Sequence, residues 1–163
     1  QALASRLKEL VVVLGYRSQE VRNVLTQTGI VIVKNIDYAK GQSSSVRAGL
    51  TNVSSSAEAA LFIPVDQPLL VPKVINKLIG AYESSGANVV VPAYRERLGS
   101  PVLFDRSLFK ELSKISGDIG GRQILENHRS DVFLVHLENE GPLQDIDTLE
   151  DYQQLLNLSK KQK

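Results

Sequence analysis

The stretch AALFIPVDQP, Ala59 to Pro68, sets the frame for the rest of the chain. Its apolar half reads as a buried strand over Ala59 to Val65, and a turn is due where that strand ends. Instead Asp66 stands at the exit, with Pro64 and Pro68 on either side. In an open α/β sheet the carboxyl ends of the strands are where ligands collect, so a carboxylate at this point calls for a chemical reason.

Working outward, apolar runs alternate with helical spacing. ELVVVLG, Glu9 to Gly15, has the β-branched character of a strand buried on both faces, as parallel sheets require. Upstream of it, Leu3, Leu7 and Leu10 fall at helical spacing. Ser18 is placed to cap a helix through about Gln27 that turns Val21, Val24 and Leu25 to one side. Ile30 to Lys34 is a second strand, and Ser43 to Asn52 a helix. Pro72 to Ser84 follows as a helix with proline in its first turn, then a strand over Ala87 to Pro92. This βαβαβαβ punctuation predicts a doubly wound, mostly parallel sheet in one domain. Beyond Tyr94 the rhythm breaks into a charged loop with a short strand, RERLGSPVLF, and short helices over Arg106 to Lys114 and Arg122 to His128. A strand over Val132 to Leu137 and a closing helix over Thr148 to Leu158, opened by a Thr148 and Asp151 capping pair, complete the pattern.

Composition excludes several classes. Lys+Arg 19 against Asp+Glu 18 leaves no basic surplus for a nucleic-acid surface. The absence of cysteine removes disulfides and thiolate metal sites. The apolar runs fall short of the ~20 residues a membrane helix needs, and nothing suggests secretion.

The polar clusters at the strand exits are GYRSQ, NIDYAKGQSSS, DQP and PAYRERLGSP, and all should face one crevice. Asp66 suits a hard cation, since Mg²⁺ takes one or two carboxylates together with waters and substrate phosphates. QDIDT supplies the partner candidates Asp145 and Asp147, of which one is expected to reach the crevice. On spacing alone the alternative stands that Asp66 caps a turn and Asp147 opens the last helix. In GQSSSVRAG, Gly41 to Gly49, small side chains at a helix start admit a phosphate, ribose or base edge, or form a plain serine-rich cap. The segment has neither the P-loop ending nor the dinucleotide fingerprint. GDIGGR, Gly117 to Arg122, could wrap an anion or be an ordinary glycine loop. His128 and His136 lack paired metal spacing, and no serine sits in a G-x-S-x-G elbow.

Taken in order, VVVLG, NIDYAKGQSSSVRAGL, FIPVDQPLL, VVPAYRERLGSPVLF, SGDIGGRQIL and QDIDTLEDY resemble the MobA/MocA-type nucleotidyltransferases, on the molybdenum cofactor cytidylyltransferase side of that family. The family pattern N-x-x-[WY]-x-x-G-x-[ST]-S-S, DQP, G-[HS]-P-V-L-F, GD-x-G-[AG]-R and DIDTPEDY is met from about Leu10 to Tyr152. The resemblance implies a Rossmann-like fold of the glycosyltransferase-A type, a three-layer α/β sandwich. It implies Mg²⁺-dependent transfer of a nucleotidyl group from a nucleoside triphosphate, CTP by preference over GTP, to a molybdopterin phosphate, with release of pyrophosphate in the cytoplasm. It assigns Mg²⁺ to Asp66 and Asp147 and the nucleotide to Gly41, Ser43 and Ser45. It places Gln67, Gly99, Ser100, Pro101 and Arg122 near the pterin substrate. Delivery to a molybdoenzyme partner follows from the same resemblance; a nucleic acid or a membrane does not.

Ser100 stands where close relatives often carry histidine, and Leu149 where proline commonly follows DIDT. The family's opening strand and its L-A-A-G-x-S-x-R-x-G-x-x-K loop, which grips the triphosphate, are expected before Gln1. The 163 residues alone are therefore expected to show little or no transferase activity. The alternatives are a sugar- or alditol-phosphate nucleotidyltransferase on the same metal site, and a non-catalytic carrier of the molybdenum cofactor.

Overall fold

The β-branched runs fold as strands in two sheets. A computed structural model of the chain describes residues 1–117 and 121–161. In the first sheet β1 (Leu10–Leu14) and β2 (Ile30–Lys34) pair in parallel, Leu10 beside Ile30 through Leu14 beside Lys34. They are joined by α1 (Ser18–Val24), and α2 (Gln42–Leu50) follows and packs on β1.

The second sheet begins with β3 (Ala59–Phe62), after which α3 (Pro72–Ser85) leads to β4 (Val89–Tyr94). A tight return through β5 (Arg97–Leu98) brings back β6 (Val102–Asp105), which lies antiparallel between β3 and β4. After α4 (Phe109–Leu112) and α5 (Arg122–Asn127), β7 (Val132–His136) joins the other side of β4 in parallel, Val89 beside Val132. The chain then enters α6 (Leu149–Lys161). Thus β3, β4 and β7 share one direction and β6 alone among the longer strands reverses it.

Side chains alternate across a strand, and β4 shows the consequence. Val89 and Val91 pack with Phe104, Leu108, Leu112, Ile115 and Ile124 on one face of the sheet. Val90 packs with Leu103, Leu70, Val74, Ile75 and Leu78 of the α3 side on the other. Helices on both faces make three layers. Each fully buried aliphatic or aromatic side chain here, such as Ile75, Leu78 and Phe104, contributes about 1.5–3 kcal/mol of burial free energy. The rings of Phe62 and Phe104 add an edge-to-face contact at 5.7 Å. Among the described residues no helix is long and apolar enough to cross a membrane.

Three expectations are corrected at the amino-terminal end. Leu3, Leu7 and Leu10 do not share a helix; a 3-10 turn covers Ala2–Ala4 and Leu10 opens β1. Tertiary contacts override the spacing, because Ala2 and Leu7 pack against the α3 core and the Arg6 amide donates to Asn76 Oδ1 at 2.8 Å. Ser18 is not the cap of α1, since Arg17 holds that place with φ +50 and ion-pairs with Glu20, leaving Ser18 as the first helical residue. The helix stops at Val24 rather than near Gln27, and its Val21 and Val24 stay exposed.

Candidate functional site

The exit from β3 is tied to the segment before α6. Asp66 is half-buried, and its carbonyl oxygen accepts the Ile146 N–H at 2.8 Å. Next to it, Gln67 is 7% exposed and donates through Nε2 to Asp145 Oδ1 at 2.8 Å. Asp66 Oδ1 and Gln67 Oε1 are buried with no hydrogen-bond partner. Two buried acceptors without donors on consecutive residues are costly unless something electropositive meets them. This donor set of carboxylate and amide oxygen fits a hard divalent cation.

Asp147 is exposed and precedes α6 by two residues. The cap at this helix is made by other groups: the N–H and hydroxyl of Thr148 donate to Asp151 Oδ2 at 2.9 and 2.8 Å, and the Asp151 N–H returns to Thr148 Oγ1 at 3.1 Å. The expected capping pair therefore forms, and it is Asp151 rather than Asp147 that serves the helix start. A cavity of about 390 Å³ is lined by Pro68, Arg97, Glu140, Asp145, Asp147 and Asp151, among others. Both Asp145 and Asp147 thus line one cavity, where the sequence predicts one, because the whole run from Gln144 to Asp147 borders it. Among the described residues no three Asp, Glu or His side chains converge as a metal cage.

The serine segment is organised by an amide that the sequence reading leaves without a role. Asn35, buried at the exit of β2, donates through Nδ2 to Ser44 Oγ at 2.8 Å and to Ser45 Oγ at 3.0 Å, and accepts the Asp37 N–H at 2.9 Å. Ser44 uses its own proton on the Gly41 carbonyl at 2.8 Å. Among the described residues Ser45 only accepts, which leaves its hydroxyl proton for a ligand. Gly41 precedes α2 at φ +93 and ψ 175, backbone that a side chain would strain. Ser43 is fully buried; its N–H donates to the Gly117 carbonyl at 3.2 Å, and its hydroxyl has no partner. The sequence signal for Asn35 is its place directly after a strand and at the head of the N-x-x-[WY]-x-x-G pattern, six residues before the glycine.

On the third segment Gly99 donates to the Pro92 carbonyl at 2.9 Å. A Cβ at Gly99 would stand 2.7 Å from Leu143 Cδ2, two residues before Asp145. Ser100 is half-buried, Pro101 buried, and the peptide between them cis. Arg97 reaches Glu140 at 2.5 Å, a second tie to the acidic segment. Arg122 begins α5 and is exposed. The middle of GDIGGR, residues 118–120, lies outside the described residues. The structure thus ties Asp66 to Ile146, Gln67 to Asp145 and Gly99 to Leu143 along one strip of chain, and joins Ser43 to Gly117, while Asp147 lines the neighbouring cavity, whose lining does not include Asp66. Among the described residues no hydrogen bond links Ser43, Ser44 or Ser45 to Asp66 or Gln67. His128 belongs to neither group; it bonds Glu111 Oε2 at 2.7 Å across α4 and α5 and holds that carboxyl below its ordinary range.

With this arrangement in place, residues 1–132 match the MobA-like NTP transferase domain. The chain belongs to that family. It is 28% identical to the molybdenum cofactor cytidylyltransferase of Escherichia coli over 144 residues, 88% of this chain and 71% of that protein. It is 31% identical to the nicotine blue oxidoreductase of Paenarthrobacter nicotinovorans over 154 residues, 91% of this chain and 75% of that one. Among solved structures, the mycobacterial homologue of Rv0371c from strain JC1 superposes with a TM-score of 0.85 at 28% identity, covering 99% of this chain and 80% of that one. Rv0371c from Mycobacterium tuberculosis, solved in complex with manganese, gives 0.82 at 27% identity, covering 96% and 81%. As a MobA-like NTP transferase the chain is a nucleotidyltransferase with the Rossmann-like, glycosyltransferase-A type of fold. The DQP and QDID segments that the family resemblance singles out are the ones its fold bonds together.

Proposed function

We propose that this MobA-like chain transfers a cytidylyl group from CTP to the phosphate of a molybdopterin-type acceptor. The observation that carries the reading is the double tie of Asp66 to Ile146 and Gln67 to Asp145, which brings two acidic segments together beside a buried, unpartnered Asp66 Oδ1. Identity to the E. coli cytidylyltransferase supports the choice of nucleotide and acceptor.

Asp66 and Asp147 would hold Mg²⁺, and the manganese complex of the mycobacterial relative supports a divalent ion. When bound, the ion supplies charge neutralisation between the two phosphate groups. The remaining work falls to the chain. Gly41, Ser43 and Ser45 at the start of α2 meet the base and ribose, with the Ser45 proton as donor. Gln67, Gly99, Ser100, Pro101 and Arg122 position the acceptor. Its terminal phosphate oxygen attacks the α-phosphorus of CTP in line, the bond from that phosphorus to the β-phosphate bridge breaks, and pyrophosphate leaves. Positioning and charge compensation account for most of such a rate enhancement.

The same proposal includes a further strand and a triphosphate-gripping loop supplied from outside these 163 residues. β1 pairs with β2 and β3 with β6, and neither has a strand on its other edge among the described residues, which supports that reading.

Calorimetric titration tests the assignment. CTP binding that strengthens with Mg²⁺ and vanishes in Asp66→Ala is expected; pterin binding with no nucleotide binding would favour a cofactor carrier. Pyrophosphate release assayed with sugar and alditol phosphates separates the other transferases. The 31% identity to the nicotine blue oxidoreductase gives a second reading, an oxidoreductase, and reduction of nicotine blue without pyrophosphate release would establish it.

A further inference from the structure

The bond between Gln67 and Asp145 has an orientation that chemistry dictates. An ionised carboxylate can only accept, so the amide nitrogen of Gln67 must be the atom that faces Asp145 Oδ1, 2.8 Å away. The carbonyl oxygen is then the remaining polar atom of that amide. Gln67 is 7% exposed and its nitrogen is held on Asp145, so Oε1 is left buried without a donor. Its chain neighbour Asp66 carries the other orphan acceptor, Oδ1. The backbone repeats the registration, since the Ile146 N–H, one residue beyond Asp145, holds the Asp66 carbonyl at 2.8 Å.

We infer that Asp145 is a positioning residue: it locks the Gln67 amide so that Oε1 joins Asp66 Oδ1 as a paired acceptor for a divalent cation or a water bound to it. This rests on the reading of Asp66 as a metal ligand. Asp145 touches neither the ion nor the substrate in this role; it acts through Gln67. With Asp145 removed, the amide is free to turn its nitrogen inward, and an N–H donor would then face the cation. Partners of this kind behind a ligand typically alter metal affinity 10–100-fold.

The test is titration of the apo protein with Mn²⁺ alone, followed by calorimetry, with thermal melting as the check on folding. Asp145→Ala is expected to weaken Mn²⁺ binding at least about tenfold. Asp145→Asn, which keeps the shape but permits either amide orientation, should weaken it less. The exchange Gln67→Glu with Asp145→Asn, which restores a donor–acceptor pair of the same total charge, should recover most of the affinity. A folded Asp145→Ala protein that binds Mn²⁺ as well as the parent, while Asp66→Asn abolishes binding, overturns the role of Asp145 and leaves the metal assignment standing. Unchanged binding in Asp66→Asn overturns the metal assignment and this inference with it.

Discussion

Gly99 illustrates how one absent side chain can couple two segments. Family resemblance places it near the acceptor, whereas the structure gives it a packing duty: it lets Leu143 lie against the β5–β6 return. Leu143 is 1% exposed, so it cannot swing away into solvent. Gly99→Ala should cost about 1–3 kcal/mol through overpacking. Its melting temperature should fall by several degrees, as scanning calorimetry would show, and the strip carrying Asp145 and Asp147 should shift with it. The roles of Gly99, Asn35 and Gln67 share a property that hides them in a linear chain. Each depends on a contact whose partner lies elsewhere: Gln67 and Asp145 are separated by 78 positions. A strand-exit aspartate is visible in isolation; the amide that must face another carboxylate is not.

At the scale of elements, the long and strongly periodic ones were legible. Ile30–Lys34 is a strand at the expected limits, and α3 starts at Pro72 and ends before Gly86 at φ +67, a standard left-handed stop. The short elements were not, because a single leucine or valine pattern in seven to ten residues is outweighed by tertiary contacts, as at α1 and the leucines before β1. Thr148 and Asp151 mark the start of α6 in the sequence as in the fold, and its pH response follows. The bond from the Thr148 hydroxyl, then those from the Thr148 and Asp147 N–H groups, hold the Asp151 carboxyl below its ordinary range. A depressed carboxyl pKa in the folded state stabilises above the unfolded value, about 3.9, and that contribution disappears as pH falls through the folded value. Asp151→Asn should therefore melt below the parent at neutral pH, with the gap closing below about pH 4. A gap that persisted into strong acid would mean the carboxylate charge does not contribute to the cap.

For the whole molecule, alternation of strands and helices pointed to the α/β sandwich, and the family match agrees with it. The insertion of β6 between β3 and β4 was not visible, since strand order is decided by packing rather than by sequence neighbours. The two sheets should differ in stability. β4 is buried along most of its length and has strands on both sides, whereas β1 contributes one buried residue, Leu14, and has one parallel partner among the described residues. Hydrogen exchange should release the amides of Val11–Val13 well before those of Val89–Val91, and equal protection would show that the sheets open together.

The outer margins of β1 and β3 carry a practical consequence. A strand paired on one side offers its remaining N–H and C=O groups as a template to any extended polypeptide. Concentrated solutions of these 163 residues will thus tend to stitch molecules margin to margin, and short peptides with the character of LVVVL will be captured there in preference to charged ones.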